Sequence, residues 1–202
     1  LTQEQLAHTL FPLGEMTKEE VRQKAKSLEL KVADKEESQE ICFVENDDYG
    51  SYLRENCPEA VQPGPILDIA GTVVGQHEGI AFYTVGQRKG IGAHRGQPKY
   101  VVGFDLTRNT VVIGDDADLF KGELLAEQVS YVSGKSPTEP LKIAAKIRYN
   151  SKEAEATLYP GGKAQDKAQA KVVFNKPQRA ITPGQSVLFY QGEEVLGGGI
   201  IT

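Results

Sequence analysis

The chain has 202 residues, 39% of them hydrophobic and 25% charged, with 23 Lys+Arg against 28 Asp+Glu for a net charge of −5. With a mean hydropathy of −0.39, this composition excludes an extended disordered polymer and a collagen-like fibre, and no apolar run approaches the ~20 residues that cross a bilayer. The two cysteines (Cys42, Cys57) and three scattered histidines (His8, His77, His94) form neither a Cys-x-x-Cys pair nor a zinc-ligand spacing; this excludes a disulfide-stapled secreted scaffold and leaves no metal site, and free thiols point to a cytoplasmic setting.

The first residue is Leu, and no basic-then-apolar leader follows, so the chain reads as a processed or truncated product. Residues 17–28 predict a helix. Thr17 and Glu20 form a Thr-x-x-Glu capping box, and Val21, Ala25 and Leu28 fall on one face. Leu30-Lys31-Val32 reads as a brief strand after it. One helix and one strand enclose no core, so residues 1–58 are expected to be the tail of a larger α/β domain. After Pro58 the pattern changes to short strands, predicted near Ile66–Ile69, Thr72–Val74, Ile80–Val85, Lys99–Asp105 and Thr110–Ile113, with Asp105–Asn109 as hairpin turn chemistry. These place a small central β-rich domain at 59–127.

A second all-β block covers 128–202 and predicts a compact barrel. Ile143, Ala145, Ile147 and Tyr149 alternate with Lys146 and Arg148; Val172–Phe174, Ser186–Tyr190 and Val195–Ile201 continue the block. Pro160–Ala170 carries no large apolar residue and reads as a mobile hairpin loop. The expected fold is therefore mainly β, with an α/β tail, a central β-rich domain and a C-terminal barrel.

Charge is segregated along the chain. Residues 1–60 carry 14 acids and seven bases, whereas 141–182 carry nine bases and three acids, and 76–108 carry five bases and two acids. A polyanion responds to potential over roughly a Debye length, ~8–10 Å, so the acidic total does not exclude nucleic acid. The competing reading is that Lys-rich strands are solvated outer faces.

Cys42, in Ser38-Gln39-Glu40-Ile41-Cys42-Phe43, follows a strand end and is a candidate nucleophile. It reads equally as a small buried hydrophobe, because no His or Lys adjoins it. That same absence argues against a cysteine hydrolase. Cys57 reads as an incidental thiol. The segment Tyr83-Thr84-Val85-Gly86-Gln87-Arg88-Lys89-Gly90-Ile91-Gly92 offers many donors and two charges at a glycine-rich tip. It matches neither a Walker loop nor a dinucleotide fingerprint. It is either a basic hairpin for RNA phosphates or a turn with exposed charge. Arg148-Tyr149 pairs a planar cation with a ring, as RNA proteins do for phosphates and unpaired bases, or Tyr149 is core. Pro183-Gly184-Gln185 reads as a tight turn.

Taken together, these segments resemble the tRNA-specific 2-thiouridylases. The resemblance runs in order through Leu10-Phe11-Pro12-Leu13-Gly14, Lys18-Glu19-Glu20-Val21-Arg22, Ser38–Phe43, Gly75-Gln76-His77-Glu78-Gly79, Tyr83–Gly90, Lys146-Ile147-Arg148-Tyr149, Ala180–Gln185 and Leu196–Ile201. It implies an enzyme that replaces the C2 oxygen of the wobble uridine with sulfur. It also implies ATP, with magnesium, on an N-terminal pyrophosphatase-type domain whose Ser-Gly-Gly-Val-Asp-Ser loop this sequence lacks. The chain is then expected to be the C-terminal part and inactive alone. By the same resemblance Cys42 carries a persulfide received from a sulfur-donor protein, and Arg148, Tyr149 and Gln185 contact tRNA. Gln87, Arg88 and Lys89 are assigned to tRNA by inference from their chemistry. Glu29 and Glu37 depart from the family's usual Gly and Asp; at Glu29 a strained residue or a different cap is expected. The alternative is a non-catalytic RNA-binding β-barrel module with a structural Cys42.

Overall fold

A computed structural model describes residues 1–34, 44, 48–91, 98–149, 151–164 and 167–202. Cys42 and Glu37 lie outside the described residues. The chain divides into two units, Leu1–Tyr52 and Leu53–Thr202.

In the first unit, α1 (Gln3–Ala7) and α2 (Lys18–Ser27) each begin at a reciprocal capping box, Thr2 with Gln5 and Thr17 with Glu20. The Thr17 backbone N–H donates to Glu20 Oε2 at 2.7 Å, and this bond with that from the Thr17 hydroxyl holds the Glu20 carboxyl below its ordinary range. Helix α2 ends with Glu29 at φ 54°. The Leu30 N–H donates to Ala25 O and the Glu29 N–H to Lys26 O, each at 3.0 Å. This is a Schellman closure with a non-glycine in the left-handed position, the strained cap expected there. The strand predicted at Leu30–Val32 does not form. The reversal at Glu29 leads into a turn closed by Ala33 N–H on Leu30 O. Ala33 is the buried hydrophobe of this unit among the described residues, while Leu10, Phe11, Leu13, Leu28, Leu30 and Val32 are exposed.

The second unit starts within α3 (Tyr49–Asn56), a helix the sequence pattern did not reveal. Four strands follow: β1 (Gly64–Asp68), β2 (Val73–His77), β3 (Tyr100–Asp105) and β4 (Thr110–Gly114). They form a sheet of order β2-β1-β4-β3, in which β1 runs parallel to β4 and the other neighbours are antiparallel. Asp105 Oδ1 accepts from the Thr107 hydroxyl and from the Thr107 and Arg108 N–H groups, which closes the predicted hairpin. The strand predicted at Ile80–Val85 is instead a single 3₁₀ turn over Ile80–Phe82. Ile80 and Tyr83 are apolar for packing against the Ile66, Ile91, Val101, Val111 and Ile113 core, not for a ladder.

Six strands close an antiparallel barrel in the order β10-β5-β8-β7-β6-β9: β5 (Phe120–Tyr131), β6 (Leu141–Lys146), β7 (Ala154–Ala164), β8 (Lys167–Arg179), β9 (Ser186–Gln191) and β10 (Glu194–Ile201). Strand β5 begins at Phe120, upstream of the block the sequence starts near 128. Leu124, Ala126 and Val129 face inward, and Gln128 at φ 53° breaks the period-2 pattern between them. The described residues of Pro160–Ala170 belong to strands rather than to a loop: β7 and β8 pair at Pro160↔Ala170, Lys163↔Ala168 and Ala164↔Lys167. Backbone pairing there does not need large side chains. Leu158, Val172, Val187 and Phe189 are fully enclosed at the barrel centre. A Cβ on Gly198 would lie 2.5 Å from Val187 O, so only glycine lets β10 approach β9 there. The fold is mainly β and contains the expected barrel.

Candidate nucleic-acid interface

The glycine-rich turn is built by its own side chains. Gly86 takes φ 91°, a conformation that glycine adopts at no steric cost. The Gly86 N–H donates to Val101 O at 2.8 Å, and the Val101 N–H donates back to Gln87 O at 2.9 Å. The Gln87 side chain spans the turn, its Oε1 accepting from Thr84 N–H at 3.0 Å and its Nε2 donating to Lys89 O at 2.8 Å. Gln87 therefore shapes the tip, and the Arg88 and Lys89 side chains project into solvent. Among the described residues neither cation has a carboxylate partner. Tyr83, at the root of the turn, has its phenol pushed above the ordinary range by burial, with Glu78 adding to the effect.

The same turn sits on the barrel. Val85, Leu119 and Ala180 form a small core, with Tyr100, Val102 and Phe104 packed against it. Around it Lys99 Nζ pairs with Asp115 at 2.9 Å, and Arg179 donates to Asp116 Oδ1 from Nε and Nη2 at 3.0 and 2.9 Å. The Arg179 guanidinium also lies 5.3 Å from the Tyr100 ring centroid. Sequence reasoning missed this joint. Its only local signal was the acidic pair Asp115-Asp116, and the answering bases are remote in the chain.

Arg148 and Tyr149 follow β6, where buried Ile147 anchors the chain. Tyr149 is 84% exposed, so it is not core. Arg148 is half-buried, and its Nη2 donates to Ala180 O at 2.7 Å, Thr182 Oγ1 at 3.1 Å and Val85 O at 3.3 Å. Its Nε is buried without a hydrogen-bond partner among the described residues. Gln185 is half-buried beside the same 180–182 segment. Its N–H donates to Thr182 O at 3.3 Å, its carbonyl accepts from Ile201 N–H at 2.8 Å, and its Oε1 is buried without a partner among the described residues. The structure thus brings Gln87, Arg88, Lys89, Arg148 and Tyr149 to one joint through Val85, with Gln185 on the turn that continues from it. A cavity of about 410 Å³ lies elsewhere on the barrel, lined by Lys142, Glu155, Thr157, Asn175 and Tyr190 among others. It shares no residue with this joint. Among the described residues no group of three His, Cys, Asp or Glu could hold a metal, and no helix is long and apolar enough to cross a membrane.

A set of exposed cations and a ring at the joint between sheet and barrel suits a polyanion with unstacked bases. Three family models match in succession: a tRNA methyl transferase HUP domain over residues 1–46, a tRNA methyl transferase PRC-barrel domain over 50–115, and an aminomethyltransferase β-barrel domain over 121–201. Relatives named tRNA-specific 2-thiouridylase MnmA include those of Acetivibrio thermocellus (51% identical), Halothermothrix orenii (49%) and Symbiobacterium thermophilum (50%), each matched over 100% of this chain. These alignments cover 55%, 55% and 50% of the relatives, so the chain spans about half their length. Identity at this level along every residue from the capped helices to the last barrel strand shows that the chain belongs to the tRNA-specific 2-thiouridylase family.

Proposed function

We propose that this chain is the tRNA-holding part of a cytoplasmic sulfurtransferase that 2-thiolates the wobble uridine of tRNA. The observation that carries the reading is the near-50% identity over the whole chain to proteins named for that reaction. The exposed Arg88, Lys89 and Tyr149 at a two-domain joint support it. In this reading residues 1–58 belong to the catalytic domain, 59–127 form an adaptor and 128–202 the tRNA-contacting barrel. Gln87, Arg88, Lys89, Arg148, Tyr149 and Gln185 make up the RNA-facing set. Cys42 takes a terminal sulfur from a donor protein's persulfide, leaving the donor a thiol. That sulfur attacks C2 of the adenylated uridine and AMP leaves. A partner cysteine of the intact enzyme, outside this chain, then attacks Cys42 Sγ, releasing the 2-thiouridine and leaving a disulfide that an external thiol reductant reopens. Holding nucleophile and carbon together turns a bimolecular step into an effectively unimolecular one. Activation by ATP, with magnesium, belongs to the same reading. The chain contains no Ser-Gly-Gly-Val-Asp-Ser loop, and no residue of it is assigned to nucleotide.

Fluorescence anisotropy with tRNA tests the binding half of this proposal. The 202-residue chain is expected to bind tRNA, and Arg88→Ala is expected to lower the log–log salt slope by about 0.7–0.9, one phosphate contact. Equal affinity for tRNA and a duplex DNA competitor would overturn it. Complementation of a thiouridylase-deficient cell with the intact gene tests the chemical half. Cys42→Ser is expected to abolish 2-thiouridine in tRNA hydrolysates; retained thiolation removes the persulfide role.

A further inference from the structure

We infer that the outer wall of the barrel carries a nucleotide subsite. Lys146 leads the RNA backbone along β6 from Tyr149, and the groove between Tyr190 and Glu155 takes one unpaired base bearing an exocyclic amino group. The class of ligand rests on the RNA-holding reading above; the groove is a feature of the barrel itself.

Alternation along β6 sends Ile143 and Ala145 into the core and Lys142, Ala144 and Lys146 outward. Ala144 is the short member of that outer row. It pairs with Tyr190 of β9 on one side and with Glu155 of β7 on the other. Two larger side chains therefore rise from strands about 10 Å apart, across a methyl floor. Lys142, Ala144, Glu155, Asn175 and Tyr190 line the resulting cavity of about 410 Å³. A planar base fits between those walls with one face toward the Tyr190 ring, and stacking of this kind accepts every base. Selection falls to Glu155. The Asn175 amide donates to Glu155 Oε2 at 3.1 Å, which steadies the carboxylate and leaves Oε1 as a free acceptor among the described residues. A carboxylate accepts from an amino group such as cytosine N4. Uracil presents a carbonyl oxygen at that position, and the two oxygens repel. The backbone path is cationic. Among the described residues neither Lys142 nor Lys146 has an ion pair. Lys146 stands about 6.6 Å along the strand from Ala144, and Arg148-Tyr149 follows it. Glu193 and Glu194 lie at the opposite end, past Gly192 in the turn after β9, so a polyanion approaches from the Lys146 side.

The chain contains no tryptophan, so Tyr190→Trp places a single fluorescent reporter in the groove. In the 202-residue chain, tRNA is expected to quench it, and so is a cytidine hexamer. The parent chain is expected to bind the cytidine hexamer about fivefold more tightly than a uridine hexamer. Glu155→Gln is expected to erase that preference, because an amide both donates and accepts. Ala144→Leu fills the groove without deleting a polar contact, and is expected to weaken tRNA binding about tenfold at the parent salt slope. Lys146→Ala is expected to lower the log–log salt slope by about 0.7–0.9. An unquenched reporter with tRNA bound, or parent affinity in Ala144→Leu, would overturn the inference and leave the groove to a protein partner. Equal affinity of the parent chain for the two hexamers removes the amino-bearing base. If the chain binds no tRNA, the functional reading fails, while quenching by the cytidine hexamer still decides the groove. Should Tyr190→Trp not fold, Ala144→Leu and Glu155→Gln, both on the outer wall, test the same groove.

Discussion

The two units of this chain use the same local devices to opposite effect. In Leu1–Tyr52 the helices are well capped, yet among the described residues the one buried hydrophobe is Ala33, and a row of large apolar side chains faces outward. In Leu53–Thr202 the strands are interrupted by glycines and irregular register, yet three hydrophobic clusters enclose Val101, Val111, Val172 and Phe189 almost completely. Capping specifies where a helix starts; it does not supply the burial that makes a helix of ten residues persist in water. The contrast teaches that local legibility and stability are separate properties.

The sharpest way to break the comparison is to divide the chain. Residues 53–202 alone are expected to unfold cooperatively in urea, and 1–52 alone to give a coil spectrum by circular dichroism. A stable isolated 1–52 would erase the distinction. Next in size is a pair of matched truncations: Phe189→Ala is expected to cost about 3–5 kcal/mol by chemical denaturation. Phe11→Ala, from an exposed position, is expected to stay within about 0.5 kcal/mol.

A smaller effect has the opposite sign. Glu29→Gly relieves a left-handed non-glycine residue and is expected to raise α2 helicity, worth roughly 0.5–1 kcal/mol after the greater unfolded entropy of glycine is subtracted. Lower helicity would show that another interaction holds Glu29 there.

The smallest effect is on pH dependence. Hydrogen bonds from Thr17 lower the Glu20 carboxyl pKa, and the hydroxyl of Thr107 with nearby N–H groups lowers that of Asp105. A carboxyl depressed in the folded state contributes stability that is complete above its ordinary pKa and fades as pH falls through the folded value. The amide shifts of Glu20 and Thr107 are therefore expected to titrate below the ordinary 4.5 and 3.8 of the two groups. Titration at or above those values would refute the capping account. Because both carboxyls reach solvent, Glu20→Gln and Asp105→Asn are expected to shift the unfolding midpoint least of all the variants.

Much of the fold was legible because its signals are local. The Thr17–Glu20 box, the Asp105–Asn109 turn and the alternation through Ile143 and Ala145 each need only a few neighbouring residues. The errors share a cause. Apolar residues at Ile80–Val85 and Leu30–Val32 imitate strands when only the surrounding core decides whether a ladder exists. The polar stretch Pro160–Ala170 hides one, because its pairing is carried by backbone. Strand β5 was found late because Gln128 interrupts the alternation that identifies a strand.

The site divides along the same line. The amino-acid order alone determined a mainly β chain, a basic glycine-rich tip and a chain of motifs specific enough to identify a family, since each depends on residues close in sequence. The tertiary structure decided which groups of the chain Arg148 meets. Its acceptors Val85, Ala180 and Thr182 lie 63, 32 and 34 residues away, and a hydrogen bond acts over about 3 Å of space whatever the separation along the chain.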